Sequence, residues 1–526
     1  MEEEYSVNDP TQLIEAASDF AHYPGVQNDA SVKDFLNRFP LPVIINALQT
    51  KADVPGLENT LVACLERIFK TKFGASLIPH YMPFLQVGLR ADSQVVRSLA
   101  CKTVTCLLEN FDKDTAFVAR LIIDFNIYPL LLDCLVNGNE QVATVSMDAI
   151  KKLAGSPEGM QIIFPAAKDD ATDLGVLASR CSSLGRVRVM ALVVKLFSVS
   201  RSVASVVYRS NLLNLLEAEV RNEKDILVTL SVLELLYELA EIEHGTDFLP
   251  RTALLQLLSS IISNMSAESI LRSRAMMISG RLLSDERTYS YTDAHSVRTV
   301  ISAIDGRLDS LGNQDGDELE SAIEALGQIG SSLPGAALLL SGSSPAARHV
   351  INAAFDRQGH GKQLAALHAL GNISGEARSE NSIILNGDAE ESLRRLIYEV
   401  ASRSSKLTPS GLFLSILQKD SEIRMAGYRV ISALVTRPWC LLEIYSNQEI
   451  INMVAGSSTE TTKIGMDARY NCCKAIYNSL MLSTKVNTDP ALAGVASKLQ
   501  EAIGRGPYLG RKHFEAQPAV KTAERF

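Results

Sequence analysis

The sequence predicts an all-α solenoid, a stack of two- or three-helix repeats. One amphipathic helix pattern recurs along the chain, its copies lie at a nearly constant interval, and Gly/Pro turns punctuate each interval. Composition agrees. At 526 residues the chain exceeds what one compact core supports, so it forms several domains or an extended array. Hydrophobic residues make up 46% and aromatics only 6%, which suits helices packed through aliphatic side chains better than a β-sandwich.

The helix pattern is clearest in DSQVVRSLACKTVTCLLEN. Val96, Ala100, Val104 and Leu107 fall at i, i+4, i+8 and i+11, on one helical face. A small residue in the middle of that face lets a neighbouring helix approach closely. The same template gives Leu57, Leu61, Leu65 and Ile68; Val142, Ser146, Ile150 and Leu153; and Val228, Val232, Leu236 and Leu239. It recurs as Leu271, Ala275, Ser279 and Leu282, and as Ile423, Gly427, Ile431 and Leu434, with looser copies around Val189, Leu319, Ala365 and Ala468. The interval is 46 residues from Val96 to Val142, 43 from Val228 to Leu271, 48 on to Leu319, 46 to Ala365, 58 to Ile423 and 45 to Ala468. A period of about 40–47 residues is that of armadillo and HEAT repeats. The predicted fold is therefore an armadillo/HEAT-type α-solenoid, a right-handed superhelix.

Each unit begins with a helix carrying L-L-x-x-L, such as NIYPLLLDCLVNG. A polar turn, the long small-residue helix and a Gly/Pro turn follow, the last as in AGSPEGMQIIFP. One array is expected over residues 10–510, between a disordered 1–9 and a flexible tail at 511–526. Surface-loop insertions are expected near 304–318 and 402–411, in the two longest intervals.

The formal charge of −9 disfavours nucleic-acid binding, which needs a clustered basic surface. The eight cysteines include no Cys-x-x-Cys pair and no zinc spacing, so reduced core thiols are expected and no metal or cofactor. MEEEYSVNDP has no apolar core for a secretory signal, and no apolar run of about 18 residues suggests a membrane span. A cytoplasmic chain, also nuclear, is expected.

Motifs for chemistry fail on their details. Asn313, Asp315 and Asp317 begin like a calcium loop, but Glu318 stands where the loop needs glycine, leaving a solvated acidic turn. RQGHGKQ lacks the glycine and the Ser/Thr of a phosphate loop: Asp356 and Gln363 hold those positions. SGSSPAA has Ala346 in place of the last glycine of a nucleophile elbow. His244 falls at a helix end, where a basic side chain favours the dipole. No catalytic residue is predicted, and the chain is expected not to be an enzyme.

The C-terminal part is more specific. Pro438-Trp439 ends one repeat, Tyr445-Ser446-Asn447 follows, then Ala468-Arg469-Tyr470 and finally Gly506-Pro507-Tyr508. In order and spacing this set is similar to the end of the 26S proteasome non-ATPase regulatory subunit 5 family. The single Tyr508 stands where relatives carry two tyrosines. The resemblance implies a dedicated, non-catalytic chaperone for assembly of the 19S regulatory particle base. Its partners would be the C-terminal domains of AAA-ATPase subunits and associated base-precursor proteins, and it would keep them from docking early on the 20S core. No nucleic-acid or membrane partner is implied.

The L-L-x-x-L helices are expected to line the concave side, as third helices do in armadillo folds. The polar residues interrupting them, Asp133, Asn214, Glu217, Gln256 and Asn452, are the candidate partner contacts. The stretch WCLLEIY takes the place of GMQIIF in the Val142 unit, and Trp439, the only tryptophan, is expected to pack between repeats. The alternative function is a generic armadillo adaptor or transport receptor, against which one tryptophan counts, since such grooves use repeated Trp/Asn pairs. A ubiquitin ligase would need a further module for which the repeats leave no room.

Overall fold

The computed structural model describes residues 10–50, 54–111, 113–166, 172–222, 225–311, 316–356, 359–379, 382–456, 459–482 and 490–508. The predicted segments 1–9 and 511–526 lie outside them, as do Asn313 and Asp315. Among the described residues there are 31 α-helices, three short 3₁₀ helices and no strand. The chain divides into two compact units, residues 1–248 and 249–526.

In the first unit the long helices Leu57–Phe69, Gln94–Asn110, Glu140–Leu153, Ser183–Phe197 and Ile226–Glu241 each pack on the next. In the second the row is Ser269–Leu283, Gly316–Ile329, His360–Ser374, Ser421–Leu434 and Lys463–Leu482. Each row is a ladder with one rung per repeat, and the template residues form its core: Val104, Leu107, Val142, Ser146, Ala275, Ser279 and Ile423 are all 0% exposed.

Small residues let the rungs touch. A Cβ placed on Gly327 would lie 2.6 Å from the Cα of Ala369, and one on Gly280 would lie 2.9 Å from the Cα of Ala325. Ser146 uses its small side chain differently, donating its hydroxyl to the carbonyl of Leu131 at 2.6 Å.

Polar caps start the rungs. Ser93, Asn139, Ser182, Asp225 and Asp420 each accept backbone N–H groups of the first turn, and each such cap contributes about 1 kcal/mol. Leaving a rung, the chain turns so tightly that a Cβ on Gly74, Gly159 or Gly335 would strike the carbonyl oxygen of Ile68, Leu153 or Ile329 at 2.0, 1.8 or 2.1 Å. Thr71, Ser156 and Ser332 cap the short helices at these corners. The recurring signature is Ser/Thr-x-x-Gly.

Two predicted loops come out differently. Most of 304–318 is helix: Ala294–Leu311 runs through it, with Ile304, Leu308 and Leu311 buried at i, i+4 and i+7. Gly306, which looks like a breaker, sits in that helix with open space beside it. In the second segment, helix Gly387–Arg403 ends and helix Pro409–Leu417 begins, leaving only 404–408 as connection.

Glu318 is a correction of another kind. The sequence places it in a solvated acidic turn, but it is 0% exposed. Arg272 Nε and Nη2 donate to its two oxygens at 2.7 and 2.9 Å, and Arg307 Nε and Nη2 at 2.5 and 2.9 Å. One carboxylate thus joins helices Ser269–Leu283, Ala294–Leu311 and Gly316–Ile329. Arg272 is one of four arginines that directly follow the first apolar residue of the helix template. The others, Arg97, Arg424 and Arg469, also reach one repeat ahead, to Asp133, Glu460 and the Pro507 carbonyl.

Glu318→Gln tests this knot. Breaking a buried ion pair costs about 3–5 kcal/mol, so the variant should unfold at lower urea than the native chain near neutral pH. Burial pushes the Glu318 carboxyl up, but the hydrogen bonds and charges of Arg272 and Arg307 outweigh burial and hold it at about 2. A carboxyl held below its unfolded value of about 4.3 contributes stability above that value and loses it as the pH falls through its folded value. The difference between native and variant chains should therefore be full above about pH 5 and vanish near about pH 2. A difference that ignores pH would mean the knot is not ionic.

Candidate partner-binding surfaces

Of the five polar residues singled out in the L-L-x-x-L helices, three lie in the first unit and two in the second. Asp133, on helix Ile127–Asn137, is exposed but already engaged: Arg97 Nη2 donates to its carboxylate at 2.5 Å and Asn137 Nδ2 at 2.7 Å. Asn452, on helix Gln448–Ala455, accepts hydrogen bonds from Gln448 and from Lys498 of the last helix. Both hold neighbouring elements together. Glu217 is only 6% exposed, with Arg221 a turn away at 3.9 Å, and offers a partner little surface. Asn214 and Gln256 are exposed, the first in unit one and the second in unit two.

Counted from its short helix, the triplet Thr115–Asp124, Ile127–Asn137, Glu140–Leu153 has the long helix third, not the L-L-x-x-L helix. The solvent side of the first unit's ladder carries ion pairs between successive rungs. Lys102 meets Glu66 at 2.5 Å, Lys152 meets Glu109 at 3.5 Å and Lys195 meets Glu238 at 3.8 Å. In the second unit Arg429 pairs with Glu376 at 2.7 Å and hydrogen-bonds His368 at 2.6 Å. Burial, then the Arg429 charge, pushes the His368 imidazole below its usual value. Partly exposed pairs like these contribute little to stability, so a charged partner can exchange them at small cost. The sequence signal for this surface is charge on the solvent face of successive template helices.

The C-terminal motif residues converge into two structural clusters. In the first, Trp439 is half-buried with its ring 5.9 Å from that of Tyr398, and Arg394 lies over the other ring at 5.6 Å from its centroid. Pro438 is exposed at the first position of helix Pro438–Ser446, where its missing N–H costs nothing. Arg437 replaces the polar cap used at other corners and is 2% exposed. Its Nε and Nη2 donate to Glu390 at 2.7 and 2.9 Å, and its Nη1 to the carbonyls of Ser374 and Ala433.

In the second cluster Arg469, also 2% exposed, donates to the Val454 carbonyl at 2.8 Å and the Pro507 carbonyl at 3.3 Å. Gly506 makes this possible. Its φ of +78° ends the last helix with a left-handed turn that favours glycine and swings Pro507 back. Tyr508 is half-exposed, and its hydroxyl, hydrogen-bonded to Asp467, is pushed above its usual value. The Ala468-Arg469-Tyr470 and Gly506-Pro507-Tyr508 motifs are thus two ends of one contact.

Three other groupings were chemical candidates. Asp305, Asp309 and His349 bring their ligand atoms within 4.8 Å of one another. Arg348 already lies on both carboxylates, at 2.5 and 2.8 Å, so a metal ion would have to displace a guanidinium. Cys134 donates its thiol to the Leu89 carbonyl at 3.4 Å, and neighbouring Cys101 and Arg97 hold it below its usual value against its burial. Both cysteines are 0% exposed, which bars reagents. His244 lies in the short 3₁₀ helix Glu243–Asp247 that follows the end of helix Ile226–Glu241. It hydrogen-bonds the carbonyl of Phe197, the last residue of a neighbouring rung, at 2.7 Å. No single described helix is long and apolar enough to cross a membrane, and the one bent pair that passes together turns by 70°.

The family described as "Proteasome non-ATPase 26S subunit" matches residues 58–525. Proteins called 26S proteasome non-ATPase regulatory subunit 5 from Bos taurus and Homo sapiens are each 21% identical over 454 residues, covering 85% of this chain and 84% of theirs. The Mus musculus protein of that name is 20% identical over 471 residues, 88% of this chain and 86% of its own. Among solved structures, an engineered protein aligns over 88% of this chain and 98% of its own at 14% identity and a TM-score of 0.41. A chain from work on the interaction between cadherin and beta-catenin aligns over 95% and 97% at 13% identity and a TM-score of 0.40.

Trp439→Ala separates packing from contact. A fully buried aromatic truncated to alanine costs about 3–5 kcal/mol, so this half-buried one should cost about 1–3 kcal/mol, read as a lower urea midpoint for the second unit. Partner affinity should change less than about twofold. A large affinity loss with unchanged stability would make Trp439 a contact residue.

Proposed function

The chain belongs to the proteasome non-ATPase 26S subunit family, and from that premise we propose that it is a non-catalytic assembly chaperone for the base of the 19S regulatory particle. It binds C-terminal domains of the base's AAA-ATPase subunits and keeps a base precursor from docking early on the 20S core. The observation that carries this is the family match across residues 58–525.

Other features support the same reading. Ladders of packed rungs offer extended, preorganised faces, so a folded domain binds them with little ordering cost. Rows of partly exposed ion pairs suit reversible recognition, in which charge sets specificity and association rate more than final affinity. Exclusion of a competing partner by bulk needs no catalytic group. The two exposed polar residues, Asn214 and Gln256, and the solvent faces of the ladder helices are the proposed contacts. The chaperone acts in the cytoplasm, and in the nucleus where proteasomes also occur.

Tagged full-length protein, recovered under gentle lysis, tests the proposal. Base ATPase subunits should co-purify in substoichiometric complexes that lack peptidase activity. Recovery of no ATPase subunit, or of the chain as a stoichiometric part of active, fully assembled proteasomes, would sink it.

A further inference from the structure

The first unit contains an apolar cleft that neither the ion pairs of the ladder nor the C-terminal clusters use. It encloses about 370 Å³ between helices Leu41–Thr50, Leu57–Phe69, Met82–Leu89 and Gln94–Asn110. Leu48, Phe69, Tyr81, Phe84, Val87 and Leu99 supply much of its wall. Phe84 and Val87 remain 41% and 54% exposed, and the Phe84 ring stands 6.1 Å from that of Tyr81. A surface of this kind, concave and apolar with few polar groups, is the ordinary form of a recognition cleft.

Two carboxylates line the same cleft, Glu58 half-buried and Asp92 exposed. Glu58 accepts the Ser93 hydroxyl at 2.7 Å. Among the described residues no lysine or arginine pairs with either acid. Apolar walls beside two unpaired negative charges select an occupant with large apolar side chains next to a cation. The form of the occupant follows from hydrogen bonding. An extended peptide entering apolar walls would leave backbone groups unpaired, whereas a helix satisfies its own. The chain's first nine residues, with Glu2, Glu3, Glu4 and Asp9, carry the wrong sign.

We propose that this cleft is a docking site for an amphipathic helix of a partner protein, presenting two or three large apolar residues flanked by lysine or arginine. The occupant is defined by its chemistry and does not require the ATPase partners proposed above. Its apolar residues, spaced i, i+3 or i+4, enter between Phe84 and Leu99, and its cation meets Glu58 and Asp92.

A labelled synthetic helix with a leucine and tryptophan stripe and lysine flanks is the probe, against a counterpart with each lysine replaced by glutamate. Fluorescence anisotropy with the full chain should show the lysine peptide binding about tenfold tighter, with the difference shrinking at high salt. Val87→Arg, at an exposed position, should weaken binding of the lysine peptide by more than about tenfold. Glu58→Gln combined with Asp92→Asn should erase the preference between peptides. Ile123→Arg, equally exposed but outside the cleft, should change nothing. Equal binding of both peptides by the native chain, or native binding by the Val87→Arg chain, overturns the proposal. So does a native homodimer that Val87→Arg dissociates in sedimentation, which would assign the cleft to a second copy.

Discussion

In the second unit, consecutive long helices touch backbone to backbone, and much of the scaffold follows from that constraint. At Gly327 there is no room for a Cβ beside Ala369, and at Gly280 none beside Ala325. Close approach maximises dispersion contact and leaves no gap for water. It also removes the large interlocking side chains that would fix the register of one helix on the next. Register must then be held elsewhere. The caps at Asn139 and Asp420 fix where rungs begin, and the crowded Ser/Thr-x-x-Gly corners at Gly74, Gly159 and Gly335 fix how the chain leaves them.

Arginine supplies the rest. Arg97, Arg272, Arg424 and Arg469 occupy the same place in their helices, and each reaches one repeat ahead. A guanidinium suits this role because its planar fork satisfies several acceptors at fixed angles and stays charged when buried. Arg437 does the same at the Trp439 corner, binding Glu390 where a small polar cap would otherwise stand. These groups are buried or half-buried and bonded to the scaffold. What they leave exposed are the ion pairs along the ladder and the apolar cleft beside Phe84.

The long helices were legible in the sequence because small and aliphatic residues recur at i, i+4, i+8 and i+11. Ile304, Leu308 and Leu311 continue the same kind of spacing, yet Gly306 and the acidic residues around them mask a helix as a loop. Glu318 was illegible for a deeper reason. A lone glutamate after Gly-Asp carries no local sign of burial, and its partners Arg272 and Arg307 lie 46 and 11 residues away. The arginine positions and the Ser/Thr-x-x-Gly corners were visible as patterns but have meaning only once the helices are stacked. Polar interruptions such as Asp133 and Asn452 look alike in sequence whether they face a partner or bond a neighbouring helix. The C-terminal motifs were legible as a set, and the structure adds why they travel together: Arg469 binds the carbonyl that Gly506 turns towards it.

On the proposed function, the solvent faces of the ladder helices recognise ATPase domains of the proteasome base. The most direct measurement is a binding screen of the purified full chain against the isolated C-terminal domains of the six base ATPases. One domain, or a small subset, should bind reversibly with an affinity that falls as salt rises, while the others do not. Uniform absence of binding across all six would contradict the account.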